Sequence, residues 1–131
     1  MTKLITIFLI LAALTLSGCA TVCTVVDGIV PRTRISQEQA MKIMAADDVI
    51  ILDVRTEEEF LTGHIPGSVN LPLHELSITI NYLITDSEQI ILIYCRSGVR
   101  SADAMKILID MGYHNVFDFG GIIHWTGEIV N

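Results

Sequence analysis

Apolar positions along the chain fall into runs of different period, and the periods predict an alternation of strands and helices. Val49–Val54 and Ile90–Tyr94 are nearly unbroken apolar runs of strand length, the pattern of strands covered on both faces. Val69–Leu71 and Val116–Asp118 predict two shorter strands. Between them lie segments with helical spacing. Ser36 followed by Gln39 forms a capping box that opens a helix running to about Ala46, and Thr56 with Glu59 opens a short one that ends near Gly63. Leu76, Ile80, Leu83 and Ile84 mark a helix around His74–Ile84. Ala104, Leu108 and Met111 mark another over Ser101–Met111, closed by Gly112, and Ile122–Trp125 reads as a last helical turn. Strands alternating with helices imply an α/β fold, three-layered, with a mostly parallel central sheet. Sites in such sheets lie at the carboxyl ends of strands, where Asp53 and Cys95 each terminate an apolar run.

The front of the chain has a different pattern. Lys3 precedes Leu4–Leu16, an apolar run broken only by Thr6 and Thr15. As a helix it spans about 20 Å, short of the ~30 Å hydrocarbon core of a bilayer, so it reads as a signal-peptide core rather than a membrane span. The following Leu16-Ser17-Gly18-Cys19 resembles the lipobox of bacterial lipoproteins. That resemblance implies cleavage before Cys19 and lipidation of Cys19. Residues 1–18 are then a signal peptide, 19–33 a lipidated tether and 34–131 the folded domain. Ala20 is not the aspartate associated with inner-membrane retention, which points to the periplasmic face of the outer membrane in a bacterial cell envelope. Cys23 falls within the tether, where the plainer reading is a spectator and the other a second thiol within reach of a cysteine in the folded domain.

Composition narrows the functional classes. The 131 residues are 51% hydrophobic and 18% charged, which excludes a disordered chain. A net charge of −7 argues against a nucleic-acid partner, since no basic surface offsets phosphate. Three cysteines do not make a disulfide framework.

One short segment carries most of the chemistry. Cys95-Arg96-Ser97-Gly98-Val99-Arg100-Ser101 joins the most apolar strand directly to a helix. A cysteine there faces unpaired helix N–H groups and the positive end of the helix dipole, both of which favour a thiolate. Gly98 lets successive N–H groups converge into an anion cradle, and Arg96 and Arg100 add charge that does not titrate away. The plainer reading is a structural cysteine at a strand end beside two surface arginines; the composition of the loop at a strand–helix junction favours the nucleophile.

Four segments in order now resemble a single-domain rhodanese. They are Leu52-Asp53-Val54-Arg55, Gly63-His64-Ile65-Pro66-Gly67-Ser68-Val69-Asn70-Leu71-Pro72, the cysteine loop, and Gly120-Gly121-Ile122-Ile123-His124-Trp125. The resemblance spans about Arg34 to Gly127. It implies a rhodanese-like fold and transfer of sulfane sulfur from thiosulfate or a similar small anionic donor to a thiol or cyanide. Cys95 is implied as the catalytic nucleophile, with Arg96, Ser97, Gly98, Val99 and Arg100 as the loop that cradles its persulfide. The chemistry requires neither a metal nor an organic cofactor.

The remaining candidates read more plainly. Asp53 and Arg55 are expected to form a supporting ion pair, with Arg55 also a candidate counter-charge for Glu57–Glu59. His64 is expected to be a turn histidine bonded to backbone. Trp125 and Phe119 are expected to pack the end of the sheet, and His74, His114 and His124 share no metal-ligand spacing. Two other functions compete: a phosphatase or arsenate reductase of the same fold, and a non-catalytic sulfur carrier or binding module. The phosphatase relatives carry a loop one residue longer, with room for a tetrahedral phosphoryl group, whereas Cys95 to Arg100 has the rhodanese length.

The lipobox gives the first testable expectation. The full chain expressed in a bacterium should fractionate with membranes and carry lipid mass on Cys19, and Cys19→Ala should yield uncleaved or soluble protein. Equal membrane attachment through an uncleaved Leu4–Leu16 helix, without lipid, would contradict it.

Overall fold

The computed structural model describes residues 34–131. The proposed signal peptide, Cys19, the tether and Cys23 lie outside the described residues. Within them the chain alternates helix and strand: α1 (Gln37–Ala46), β1 (Val49–Asp53), α2 (Glu57–Leu61), β2 (Ser68–Asn70), α3 (Leu76–Leu83), β3 (Ile90–Cys95), α4 (Val99–Asp110) and β4 (Val116–Gly121). A 3₁₀ turn at Ile122–His124 follows. Both capping boxes form. Ser36 and Gln39 bond reciprocally at the start of α1, and Thr56 and Glu59 do so at α2.

The four strands make one parallel sheet in the order β2-β1-β3-β4. Parallel pairing requires crossovers over the faces, and the apolar side chains divide accordingly. Leu52, Ile91, Ile93 and Cys95 face one cluster with Leu76, Ile80, Ala104 and Leu108 from α3 and α4. Ile51, Leu92 and Tyr94 face the other, with Ala40 from α1 and Phe119. Alternate residues of β3 thus go to opposite layers, which explains why the strand is apolar throughout. Trp125 and Phe119 pack against this second layer as expected.

Three boundaries differ from the sequence pattern. Helix α3 starts at Leu76 rather than near His74, because Pro72–Glu75 form a turn closed by Glu75 N–H on the Pro72 carbonyl. Strand β4 runs on to Gly121, pairing Gly121 with Cys95 after a register shift. Helix α4 starts at Val99, two residues early, so only Arg96–Gly98 separate strand from helix. The cysteine loop is tighter than its motif suggests.

The chain steps from β1 outward to β2, then crosses back so that β3 lies on the other side of β1. The loops leaving β1 and β3 therefore diverge at one end of the sheet, the crevice where α/β proteins place their sites. Asp53 pairs in register with Tyr94, one residue before Cys95. No helix among the described residues is long and apolar enough to cross a membrane.

Asp53 and Arg55 close the end of β1. Both are buried, with Arg55 Nη2 at 2.6 Å from Asp53 Oδ2 and Nε at 2.9 Å from both carboxylate oxygens. Arg55 also donates to the Gly63 carbonyl at 2.8 Å, and Asp53 Oδ1 accepts the Arg55 backbone N–H. Arg55→Met strands a buried carboxylate and should lower stability in urea unfolding by about 3–5 kcal/mol. Adding Asp53→Leu should recover more than half of that loss. A single variant within 1 kcal/mol of wild type would show that the pair does not hold the strand end.

Candidate active site

Cys95 ends β3 fully buried, and the loop after it folds back over its sulfur. Gly98 adopts the left-handed conformation (φ 101°) as the N-cap of α4, a backbone state that favours glycine. A Cβ there would lie 2.7 Å from Arg34 Nη2 and 3.2 Å from Gly120 Cα. The turn points the Gly98 N–H at Cys95 Sγ, 3.0 Å away, while Ser101 Oγ lies 3.7 Å from the same sulfur. Burial by itself raises the thiol pKa. Hydrogen bonds from Ser101, through backbone and hydroxyl, and from the backbone of Gly98 and Ser97 outweigh it, so Cys95 is held below the usual thiol range.

The loop is packed from behind by the end of β4. The Arg96 carbonyl accepts from Ile123 N–H at 3.2 Å and the Gly98 carbonyl from Arg34 Nη2 at 2.5 Å. The single Ser101 hydroxyl proton faces the Gly120 carbonyl, 3.4 Å away, while Cys95 is a thiol, and turns to the sulfur when it is a thiolate. A Cβ on Gly121 would come within 2.6 Å of Ser97 Cα, so the loop sits directly on that glycine. With the Arg96 and Gly98 carbonyls engaged on the outside, the loop's N–H groups are free to face the sulfur.

The arginines have distinct surroundings. Arg100 makes a two-pronged contact with Glu59 of α2, Nη1 to Oε2 at 2.6 Å and Nη2 to Oε1 at 2.8 Å. The Arg100 guanidinium is the largest cause that pulls the Glu59 carboxyl down to about 2. Arg55, expected as a candidate counter-charge for Glu57–Glu59, gives its hydrogen bonds to Asp53 and the Gly63 carbonyl and acts on Glu59 only through its charge, more weakly than Arg100. The reason is reach: the Asp53 carboxylate is two residues away on the same strand end, whereas Glu59 faces α4. Arg96 is exposed and, among the described residues, is the one lysine or arginine with no acidic partner. Val99 is also exposed, on the outer side of α4's first turn. His64 bonds the Phe60 carbonyl through Nδ1 at 3.2 Å and stacks on the Phe60 ring, a turn histidine as read.

Beside the loop lies a cavity of about 440 Å³ lined by Arg55, Glu58, Glu59, Thr62, Arg96, Ile122 and Ile123. A larger one, about 580 Å³, shares Glu58 with it but otherwise opens on Thr56, other residues of α2 and Asn70, Pro72, His74 and Glu75, and includes no residue of the cysteine loop. A third cavity of about 340 Å³ meets the loop only at Arg100, whereas the 440 Å³ cavity is lined by Arg96, the residue next to Cys95, and is the candidate site. Among the described residues no cluster of three His, Cys, Asp or Glu side chains is placed to hold a metal ion.

The structure brings together Cys95, Arg96, Ser97, Gly98, Val99 and Arg100, with Asp53 and Arg55 supporting the neighbouring strand. It adds Glu59, Ser101, Arg34 and Asp118. Glu59 was legible only as a cap and Ser101 only as part of the motif. Asp118 carried one signal, a lone carboxylate ending an apolar strand. Arg34 carried none.

Comparison with known proteins agrees with this geometry. Residues 36–128 match the rhodanese-like domain family. A sulfurtransferase of Allochromatium vinosum is 36% identical over 92 residues, covering 70% of this chain and 84% of that protein. Thiosulfate sulfurtransferase PspE of Escherichia coli is 34% identical over 83 residues, covering 63% and 78%. The solved structure of a rhodanese with anions from E. coli superposes with a TM-score of 0.61 at 31% identity, over 64% of this chain and 99% of that one. The chain belongs to the rhodanese-like domain family. At the level of reaction class it is a sulfurtransferase.

The Glu59–Arg100 pair makes a pH signature. A carboxyl held at about 2 when folded, against ~4.3 unfolded, adds stability that is complete above about pH 4.5. That stability is lost as pH falls towards 2. Glu59→Gln keeps the capping box and should cost about 1 kcal/mol at pH 7, a value reduced for the pair's partial exposure. The gap from wild type in urea unfolding should close by pH 2. A gap that stays constant from pH 7 to pH 2 would contradict this account.

Proposed function

We propose that Cys95 carries sulfane sulfur as a persulfide, taken from thiosulfate or a similar small anionic donor and passed to a thiol or cyanide acceptor. The observation that carries this reading is the set of loop N–H groups and the Ser101 hydroxyl around one buried sulfur. The Cys95 thiolate attacks the donor's outer sulfur, the S–S bond of the donor breaks, and sulfite leaves with the bonding pair. The outer sulfur of the persulfide is anionic and takes the place prepared for an anion above the loop. Attack by the acceptor on that outer sulfur then returns the thiolate. No proton transfer is needed at Cys95 once the thiolate exists, and among the described residues its hydrogen-bond partners are Gly98 and Ser101.

Arg96 is the donor contact in this reading, because Arg55 and Arg100 already face carboxylates. Arg100 serves to dock α2 onto the first turn of α4. Cys95 is buried as the loop stands, so the donor reaches Sγ from the cavity that Arg96 lines as the exposed Arg96 and Ser97 side chains swing aside, the backbone cradle staying in place. Sulfurtransferase names among the relatives, and the anions named with the E. coli rhodanese, support the substrate class. The lipobox at Leu16–Cys19 supports attachment to an envelope membrane through Cys19, with the domain in water.

Thiosulfate treatment should add one sulfur to the Cys95 peptide by mass spectrometry, and Cys95→Ser should neither load nor turn over while keeping its fold. Sulfur on another residue, or turnover by the serine variant, would overturn the assignment. Arg96→Ala should slow loading by about 5–20-fold at low salt, less than the ~10–150-fold of a buried charge-assisted bond because Arg96 is exposed. The difference should shrink as salt is added. A change below twofold would exclude Arg96 as the donor contact.

A further inference from the structure

Arg34 lies 64 residues before Gly98 in the chain, outside every motif, yet it touches the loop that holds the sulfur. Its Nη2 donates to the Gly98 carbonyl at 2.5 Å. The same guanidinium holds Asp118, with Nε and Nη2 each 2.9 Å from Oδ2. Asp118 is buried within β4 and uses its other oxygen to accept the Gly120 N–H at 2.9 Å. Its backbone carbonyl accepts from Ile35 N–H at 2.9 Å, and Arg34 and Asp118 form an isolated parallel bridge. The half-exposed Arg34 guanidinium is therefore held between a buried carboxylate and the carbonyl of the residue whose N–H meets Cys95.

Gly98 is the joint of the loop. Its left-handed backbone directs its N–H inwards to sulfur and its carbonyl outwards to Arg34. Glycine has no Cβ to hold that state by sterics, so the conformation depends on what grips the two peptide groups. Nothing about the charge pair alone requires the contact with Gly98: Asp118 is already met by Nε. A planar fork spends one edge on the carboxylate and the spare N–H on the carbonyl, which is what guanidinium geometry allows.

We infer that Arg34, anchored by Asp118, is a positioning residue for the Cys95 nucleophile: it fixes the Gly98 peptide so that the N–H cradle closes on sulfur. This rests on the reading of Cys95 as the reactive thiol. The other charges facing that sulfur's surroundings are Arg100 with Glu59, Arg55 with Asp53, and exposed Arg96, none of which either substitution below alters.

The test is the pH midpoint of Cys95 alkylation, with Cys95→Ser as the blank and circular dichroism as the check on folding. Arg34→Met should raise the midpoint by about 0.5–1 unit, roughly a three- to tenfold smaller thiolate fraction below the midpoint. Asp118→Asn separates the two explanations by sign. Losing a nearby negative charge should lower the midpoint if only charge matters, whereas loss of the anchor should raise it. A raised midpoint in Asp118→Asn supports the brace, and an unchanged or lowered one overturns it. If Asp118→Asn does not fold, Arg34→Met is titrated again in 1 M salt, where the screening length is about 3 Å. A shift that persists supports the brace, and one that vanishes overturns it. Persulfide loading of the wild type is followed separately. If loading fails while these shifts occur, the sulfur-transfer reading falls and the brace stands.

Discussion

A buried cysteine sulfur at the end of a strand, ringed by hydrogen-bond donors, is the constraint around which this molecule is arranged. Burial alone would keep Cys95 protonated, so the anion exists only where hydrogen-bond donors replace water around it. The donors are the Ser101, Gly98 and Ser97 backbone N–H groups and the Ser101 hydroxyl, and backbone groups stay in place only if their peptide planes are held. The holding is done from outside: Ile123 on the Arg96 carbonyl, Arg34 on the Gly98 carbonyl, and Gly121 pressed against Ser97. Strand order supplies the rest, because β1, β3 and β4 are neighbours and their carboxyl ends converge on one loop.

The ionic groups divide by burial and by partner. Asp53 and Arg55 are buried against each other, and close the strand next to Cys95 as a neutralised pair. Glu59 and Arg100 join α2 to α4 across the mouth of the site. Lys42 and Lys106 pair with Glu38 and Asp103 on exposed helix surface. Arg96 is left, among the described residues, as the cation with no carboxylate, and it stands on the loop itself. In a chain of net charge −7, that single placement gives a small anion a reason to approach here rather than elsewhere.

Much of this was legible in the sequence, for local reasons. Both capping boxes were read from four-residue patterns, since a cap is satisfied within its own turn. The two long strands were read from unbroken apolar runs, and Cys95 from its place between the second run and a helix. Boundaries set by distant contacts were not legible. Phe119–Gly121 continue β4 because β3 lies alongside, which nothing in Gly120-Gly121 announces. Val99 and Arg100 join α4 because Gly98 turns left-handed, and two side chains that read as loop become helix. The partners of the arginines also come from afar. Arg100 meets a glutamate 41 residues before it, and Arg34 meets an aspartate 84 residues after it.

The central claim is that this loop stabilises an anion on Cys95, and the thiolate's own ultraviolet absorbance reports it without any substrate. The wild-type protein is titrated against Cys95→Ser, so that the difference belongs to Cys95 alone. The account predicts a midpoint clearly below the ordinary thiol value of about 8.5. A midpoint at or above 8.5 would mean that burial wins over the loop's hydrogen bonds, and would contradict the account at its root.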